Sequence, residues 1–200
     1  MDNELKRSVD YSRKRLQAIR NCESKVSDVL WKTTQKVINA SKRYRGAGRL
    51  TNESALLSYA KNVTAEAEES INSYISAYSK ASCKILGIDS ENIESFLVSD
   101  IYGKTTSERN AVYLGNFAED IVRMIKAGTL MGYSDQQLLS SIRTGYKDPY
   151  HTSVITKAKR KDINIDVPSY GKGYYKNAYQ NIVRNASQVI ALASGQAEQE

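Results

Sequence analysis

Several groups of residues in this chain have types and spacings that chemistry uses. Gly103-Lys104-Thr105 has the order that closes a phosphate-binding loop, in which backbone amides cradle phosphate oxygens and the lysine reaches them. That loop also needs a glycine five positions before Gly103, and Val98 stands there, so no nucleotide site is expected. The densest cationic run is KAKRK, with Lys157, Lys159, Arg160 and Lys161, and Tyr150, Tyr170, Tyr174 and Tyr175 lie near it in sequence. Cations interleaved with aromatic faces suit contact with phosphate or with an acidic partner, and the same run also suits a solvated loop. His151 is the single histidine and has no His, Cys or paired carboxylate at ligand spacing, so no metal site is expected. Asp89, Glu91, Glu94 and Asp100 fit an ordinary solvated face. Cys22 and Cys83 each lie inside a helical pattern, which argues for two reduced thiols and against a disulfide framework. These residues predict no enzyme, no catalytic residue and no cofactor.

Helices must position these clusters. Positions 5, 9, 12, 16, 19, 23, 26, 30, 33, 37, 40 and 44 alternate by four and three, and most are apolar: Leu5, Val9, Leu16, Ile19, Val26, Leu30, Val37, Ala40 and Tyr44. This spacing is a 3.5-residue seam, with Ser12, Glu23 and Thr33 as polar interruptions. No Pro or Gly breaks it before Gly46, which predicts a helix of about 40 residues, roughly 60 Å long. RGAGR (45–49) is the break. Thr51 or Asn52 then caps a second helix through Leu56, Ala60, Val63, Ala67, Ile71, Tyr74, Tyr78 and Ile85, ending at Gly87. The two are expected to fold back as a long antiparallel hairpin.

Charge is segregated along this hairpin. Residues 1–50 carry 13 Lys/Arg against 5 Asp/Glu, and residues 51–100 carry 3 against 8. A basic helix beside an acidic one explains this by complementarity. The other reading gives the outer cations of helix 1 (Arg13, Lys14, Arg15, Arg20, Lys32, Lys36, Lys42, Arg43 and Arg45) to DNA or an acidic partner. The overall charge of +7 and pI near 9.3 are compatible with both.

The stretch 102–143 reads as a second, shorter hairpin. Thr105 with Glu108 has capping-box spacing, Tyr113, Phe117, Ile121, Met124 and Ile125 share one helical face, and Gly128 and Gly132 end the helix. Ser134 with Gln137 repeats the box, Leu138, Leu139 and Ile142 supply the next apolar face, and Gly145 sits where a left-handed residue would close it. A short helix capped by Ser90 is expected before this stretch. After it, residues 147–173 hold both prolines and the alternation Ile163, Ile165, Val167, which predicts a basic extended arm with a short strand. A final helix starts near Tyr174, with Tyr175, Tyr179, Ile182, Ala186, Val189 and Ala193 on one face.

The order GKT-x-SER (Gly103, Lys104, Thr105, Ser107, Glu108, Arg109), an amphipathic helix, a glycine turn and a second short helix resembles the head morphogenesis, or minor head protein, family of tailed phages. The likeness resumes at NIVRNASQVIALASGQAEQE (181–200), similar to that family's Arg-Thr-Glu helix. Arg184 matches its arginine, with Asn185 and Ala186 at the next two positions. The family's downstream cysteine-containing region has no counterpart in this sequence. The resemblance implies a structural protein of the virion, made in the host cytoplasm, that acts in head assembly against portal or capsid proteins, oligomeric in that assembly and in contact with packaged DNA.

The expected architecture is all-α: a long helical hairpin (1–87), then a smaller helical domain (88–200) carrying the basic arm at 147–173. Contact with nucleic acid or an acidic partner is assigned to Lys157, Lys159, Arg160, Lys161, Arg13, Lys14, Arg15 and Arg20. The alternative from another class is a helical DNA-binding protein outside any virion that uses helix 1 and KAKRK on phosphates. No run of about 18 apolar residues is present to span a membrane, and the N-terminus lacks the apolar region of a secretory signal.

Overall fold

The computed structural model describes residues 3–85, 98–100, 103–148, 153–165 and 177–196. Within them 83% of residues are helical and one antiparallel two-strand sheet is present, which makes the fold all-α. The helices are α1 (Asn3–Ser41), α2 (Glu53–Lys84), α3 (Thr106–Leu130), α4 (Asp135–Lys147), α5 (Val154–Lys159) and α6 (Ala178–Gln196). None is long and apolar enough to cross a membrane.

Between α1 and α2, RGAGR builds strands β1 (Arg45–Gly46) and β2 (Arg49–Leu50), with Arg45 opposite Leu50 and Gly46 opposite Arg49. Ala47 and Gly48 form the two-residue turn with φ of 48° and 73°, the left-handed pair that matches strand twist in a tight hairpin. Thr51 then closes the turn by donating its amide (2.7 Å) and hydroxyl (2.8 Å) to the carbonyl of Tyr44, in the short 3-10 turn that follows α1. Asn52 caps α2, its Oδ1 accepting from the Ala55 amide at 3.0 Å.

The packing divides the chain into two compact units that interleave in sequence. One comprises Met1–Val29, Glu68–Ala111 and Ile182–Glu200, the other Leu30–Ala67 and Val112–Asn181. The boundary expected near Gly87 falls outside the described residues. The chain passes between units inside α1, α2, α3 and α6.

In the first unit, Cys22 and Val26 of α1, Ile71 and Ile75 of α2, and Ile182, Ala186, Val189 and Ile190 of α6 are buried. In the second, Leu30, Ile38, Leu56, Phe117, Ile121, Ile125, Leu138 and Ile142 are fully buried, and Tyr146 is 4% exposed. The Tyr146 ring stacks on Tyr179 at 4.4 Å between centroids and lies tilted on Phe117 at 5.7 Å. Its hydroxyl is 2.6 Å from Thr34 Oγ1. Thr34 gives its only hydroxyl proton to the Leu30 carbonyl (2.9 Å), so Tyr146 is the donor of that pair. Burial holds the Tyr146 phenol well above the usual tyrosine range, which keeps it a donor.

The α1 seam differs from expectation in its first half. Leu5, Val9 and Leu16 are 54%, 58% and 54% exposed, while the buried row runs Ala18, Cys22, Val26, Leu30, Thr34, Ile38 in steps of four. Rows at i±4 are the ridges of ordinary globular helix packing, whereas a 3.5-residue seam serves a coiled coil. From Val26 onward the expected seam is buried too, at Val26, Leu30, Thr33 and Val37, so the two registers part only in the first half of α1.

The basic arm is also corrected. Residues 154–159, expected to be extended, form α5, capped by Ser153, whose hydroxyl accepts from the Thr156 amide at 3.2 Å. The Ile163 amide reaches back to the Ala158 carbonyl (3.1 Å) and the Asp162 amide to Lys159 (3.0 Å), the paired bonds of a Schellman ending, with Asp162 at φ 57°. Ile163 is therefore the residue after a helix cap and Ile165 is buried in coil, so their alternation marks no strand. Val167, the prolines and the helix expected after Ser90 lie outside the described residues.

Gly145 does not close α4, which continues through Lys147. A Cβ on Gly145 would lie 2.9 Å from Ser153 Cα, so the glycine is there to admit a neighbouring backbone. Gly132 does occupy a left-handed position (φ 73°) after α3, with Tyr133 bonded to the Gly128 carbonyl at 2.9 Å.

Candidate functional site

The GKT-x-SER residues sit at the start of α3, in the first unit. Gly103 takes φ 80° to turn the chain into the helix. Thr105 and Glu108 make the expected reciprocal box: the Thr105 amide donates to Glu108 Oε2 (2.7 Å) and the Glu108 amide to Thr105 Oγ1 (3.2 Å). These bonds to Thr105 hold the Glu108 carboxyl below the usual glutamate range.

Inside this cap a line of polar side chains crosses from α6 through α3 to α2. Arg109 Nε donates to Asn185 Oδ1 at 3.2 Å, Asn185 Nδ2 to Asn110 Oδ1 at 2.8 Å, and Asn110 Nδ2 to Asn72 Oδ1 at 2.6 Å. Asn72 Nδ2 then donates to Ser107 Oγ at 3.2 Å, and Ser107 donates to Glu68 Oε1 at 2.9 Å. Each amide accepts on one side and donates on the other, so the dipoles run head to tail from guanidinium to carboxylate. Flipping any one amide would set oxygen against oxygen, and the line therefore has one sense. Asn110 is fully buried and Asn185 is 6% exposed, where an unpaired amide would be costly. Arg109 also donates Nη1 to the Lys104 carbonyl (2.6 Å) and Nη2 to Thr106 Oγ1 (3.3 Å). Arg109 thus ties the start of α3 to α6, and Ser107 with Asn110 ties it to α2.

Asn72 and Asn110 escaped the sequence reading. The signal was present: Asn110 falls in register with Leu114, Phe117 and Ile121 on the buried face of α3, and a polar residue in an apolar row must find a partner.

The expected contact residues separate by unit. Arg13, Lys14, Arg15 and Arg20 lie on α1 in the first unit, and Lys157, Lys159, Arg160 and Lys161 lie at the end of α5 in the second. Arg13, Lys14 and Arg20 are exposed. Arg15 is half-buried, and its Nη2 donates to the Ala191 carbonyl at 2.5 Å, placing a cation on the last turns of α6 where the helix dipole favours it. Arg15 is thereby committed to the fold. Lys159, Arg160 and Lys161 are exposed and Lys157 is half-buried, and this placement at a helix C-terminus is itself electrostatically favourable.

Arg13 and Arg20 flank an open groove of about 460 Å³ formed by one face of α1, with Ser8, Ser12, Val9 and Leu16 along it. Among the described residues only α1 lines it, so none of them supplies an opposing wall to enclose a small molecule.

Cys22 and Cys83 are buried free thiols. Burial pushes the Cys22 thiol up to about 12, with Glu23 adding to the shift, and raises Cys83 against the lowering effect of Arg15. Thiols held protonated are poor nucleophiles. Among the described residues no group of three or more His, Cys, Asp or Glu could hold a metal ion. His151 lies outside them.

No protein-family model, curated protein or solved structure matches this chain.

Proposed function

We propose that this chain is a structural component of a tailed-phage virion, a minor head protein that acts by binding during head assembly at the portal or capsid interior. The observation that carries the reading is the polar line in the first unit: Arg109 of GKT-x-SER and Asn185 of the C-terminal segment, the two stretches that bear the resemblance, bond to each other. A pairing of this kind is what two parts of one family signature need if they specify one fold. An all-α chain whose thiols are buried and whose exposed cations lie on helix surfaces suits work done by docking. The test is composition of purified particles. Mass spectrometry of heads from a phage that encodes this chain should find it as a stoichiometric component, and disrupting its gene should lower the yield of filled heads. Particles that assemble and package normally without it would overturn the proposal.

A second reading is favoured by the exposure of Lys159, Arg160 and Lys161 together with Arg13, Lys14 and Arg20: a helical protein that binds DNA through phosphates outside any virion. A titration of duplex DNA against salt decides it, because each phosphate neutralised adds roughly 0.9 to the slope of log K against log salt. A slope of several units that falls on Lys159→Gln/Arg160→Gln/Lys161→Gln supports this reading, and a flat response rejects it.

A further inference from the structure

The exposed N-terminal third of α1 has a register that the fold itself does not use. Val9 and Leu16 take the a positions of the 3.5-residue seam and Leu5, Ser12 and Ile19 the d positions. Leu5, Val9 and Leu16 are each more than half exposed, although a seam of this kind exists to be covered. The e positions that flank it are Lys6, Arg13 and Arg20, all exposed, and the g positions are Ser8 and Arg15. No acidic residue stands at either flank.

We infer that this face of α1 docks an acidic amphipathic helix of another protein, completing a two-helix coiled coil in which that helix places Glu or Asp against Lys6, Arg13 and Arg20. The inference does not depend on the virion reading. Charge argues against a second copy of the chain. A parallel pair would set Arg15 and Ser8 against the partner's basic e residues, and an antiparallel pair would set those e residues against each other. Neither arrangement contains an attractive flank. Phosphate contact alone leaves the aliphatic row unexplained, since nucleic acid backbones recruit cations without an apolar stripe. A bilayer surface asks for a broad convex apolar face, whereas Ser8 and Ser12 make this one a groove with Val9 and Leu16 along it. Small residues in the floor with aliphatic and long basic side chains beside them form the kind of hole that receives a ridge of another helix.

The probe is a synthetic three-heptad peptide with Leu at a and d and Glu at e and g, titrated by fluorescence anisotropy into the 200-residue chain. Binding is expected, and Arg13→Glu/Arg20→Glu should weaken it by about tenfold, because two flanking pairs turn from attraction to repulsion. A peptide with Lys in place of Glu should then recover binding to that charge-reversed chain, which distinguishes helix pairing from loss of fold. Leu16→Asp should abolish binding of both peptides, with helix content by circular dichroism unchanged because Leu16 is exposed. Failure of the swapped peptide to recover binding overturns the inference. So does a dimer of the free chain in sedimentation that Leu16→Asp dissolves, which would make a second copy the occupant. Binding to duplex DNA or phosphatidylserine vesicles that Leu16→Asp removes, with no peptide binding, also overturns it.

Discussion

Asp162 shows how one residue can be replaced to advantage. It occupies the left-handed position of the α5 ending at φ 57°, a conformation that aspartate tolerates and glycine adopts without steric cost. Asp162→Gly should therefore be neutral or stabilising by about 0.5 kcal/mol in urea unfolding, less the extra chain entropy glycine brings to the unfolded state. Asn110 is the opposite case. Its side chain accepts from Asn185 and donates to Asn72 within a fully buried site, so Asn110→Ala strands a donor on one side and an acceptor on the other. The expected loss is about 2–4 kcal/mol, from two unsatisfied amide groups at roughly 1–2 kcal/mol each. Asn185→Ala should cost a similar amount, and the double variant should cost less than the sum of the two, because the pair shares one bond. Additive losses in that cycle would mean that the line of amides is not coupled.

At the scale of elements, α1 tests which apolar residues belong to the core. Leu30→Ala should destabilise by about 2–5 kcal/mol, whereas Leu16→Ala should stay within about 0.5 kcal/mol, because only the first empties a packed site. Equal losses would place the exposed register inside the folded core after all. The link between the RGAGR turn and α4 can be tested by pH. Burial alone would raise the Asp135 carboxyl, but hydrogen bonds from Arg45 and Lys42, the latter at 3.1 Å, and the charges of both bring it below the usual aspartate range. A carboxyl lowered on folding contributes stability above its unfolded pKa, near 3.9, and loses it as pH falls through the lower folded value. The stability difference between wild type and Asp135→Asn should hold constant above about pH 5 and shrink below pH 4. The difference will be modest, since Asp135 is 38% exposed and solvent screens the pair. The same elements show what was legible beforehand. Both capping boxes, the α1 length and the helical turn at Gly132 followed from local spacing, because a cap is a contact among residues three apart. The α1 seam holds at Val26, Leu30, Thr33 and Val37 and fails at Leu5, Val9 and Leu16, because periodicity marks an apolar stripe and only packing decides how much of it is covered. The Ser153 cap went unread because the nearby alternation Ile163, Ile165 imitates a strand, and Gly145 was misassigned because its reason lies in Ser153, eight positions away. The amide line spans residues 68 to 185, a separation at which sequence offers only the hint of polar residues in apolar rows.

For the whole molecule, the interleaving of the two units bears on cooperativity. The chain leaves one unit and enters the other within α1, α2, α3 and α6, with no linker at any of the four crossings. Unfolding one unit alone would require four helices to end in mid-course, each leaving a turn of backbone amides or carbonyls without helical partners. Global unfolding in one step is the expected result for both units. Cys22 supplies the probe, since it is fully buried in the first unit and its thiol is held protonated, so alkylation must wait for opening. Leu138 is fully buried in the second unit, and Leu138→Ala should cost about 2–5 kcal/mol there. In a Cys83→Ala background, that substitution should accelerate Cys22 alkylation by the factor that the loss of global stability dictates, when opening is fast relative to labelling. Both quantities can be measured on one sample, the first by mass shift with time and the second by urea midpoint. A Cys22 rate indifferent to Leu138→Ala would mean that the first unit opens without the second, and the four helices would then have to be breakable at their crossings.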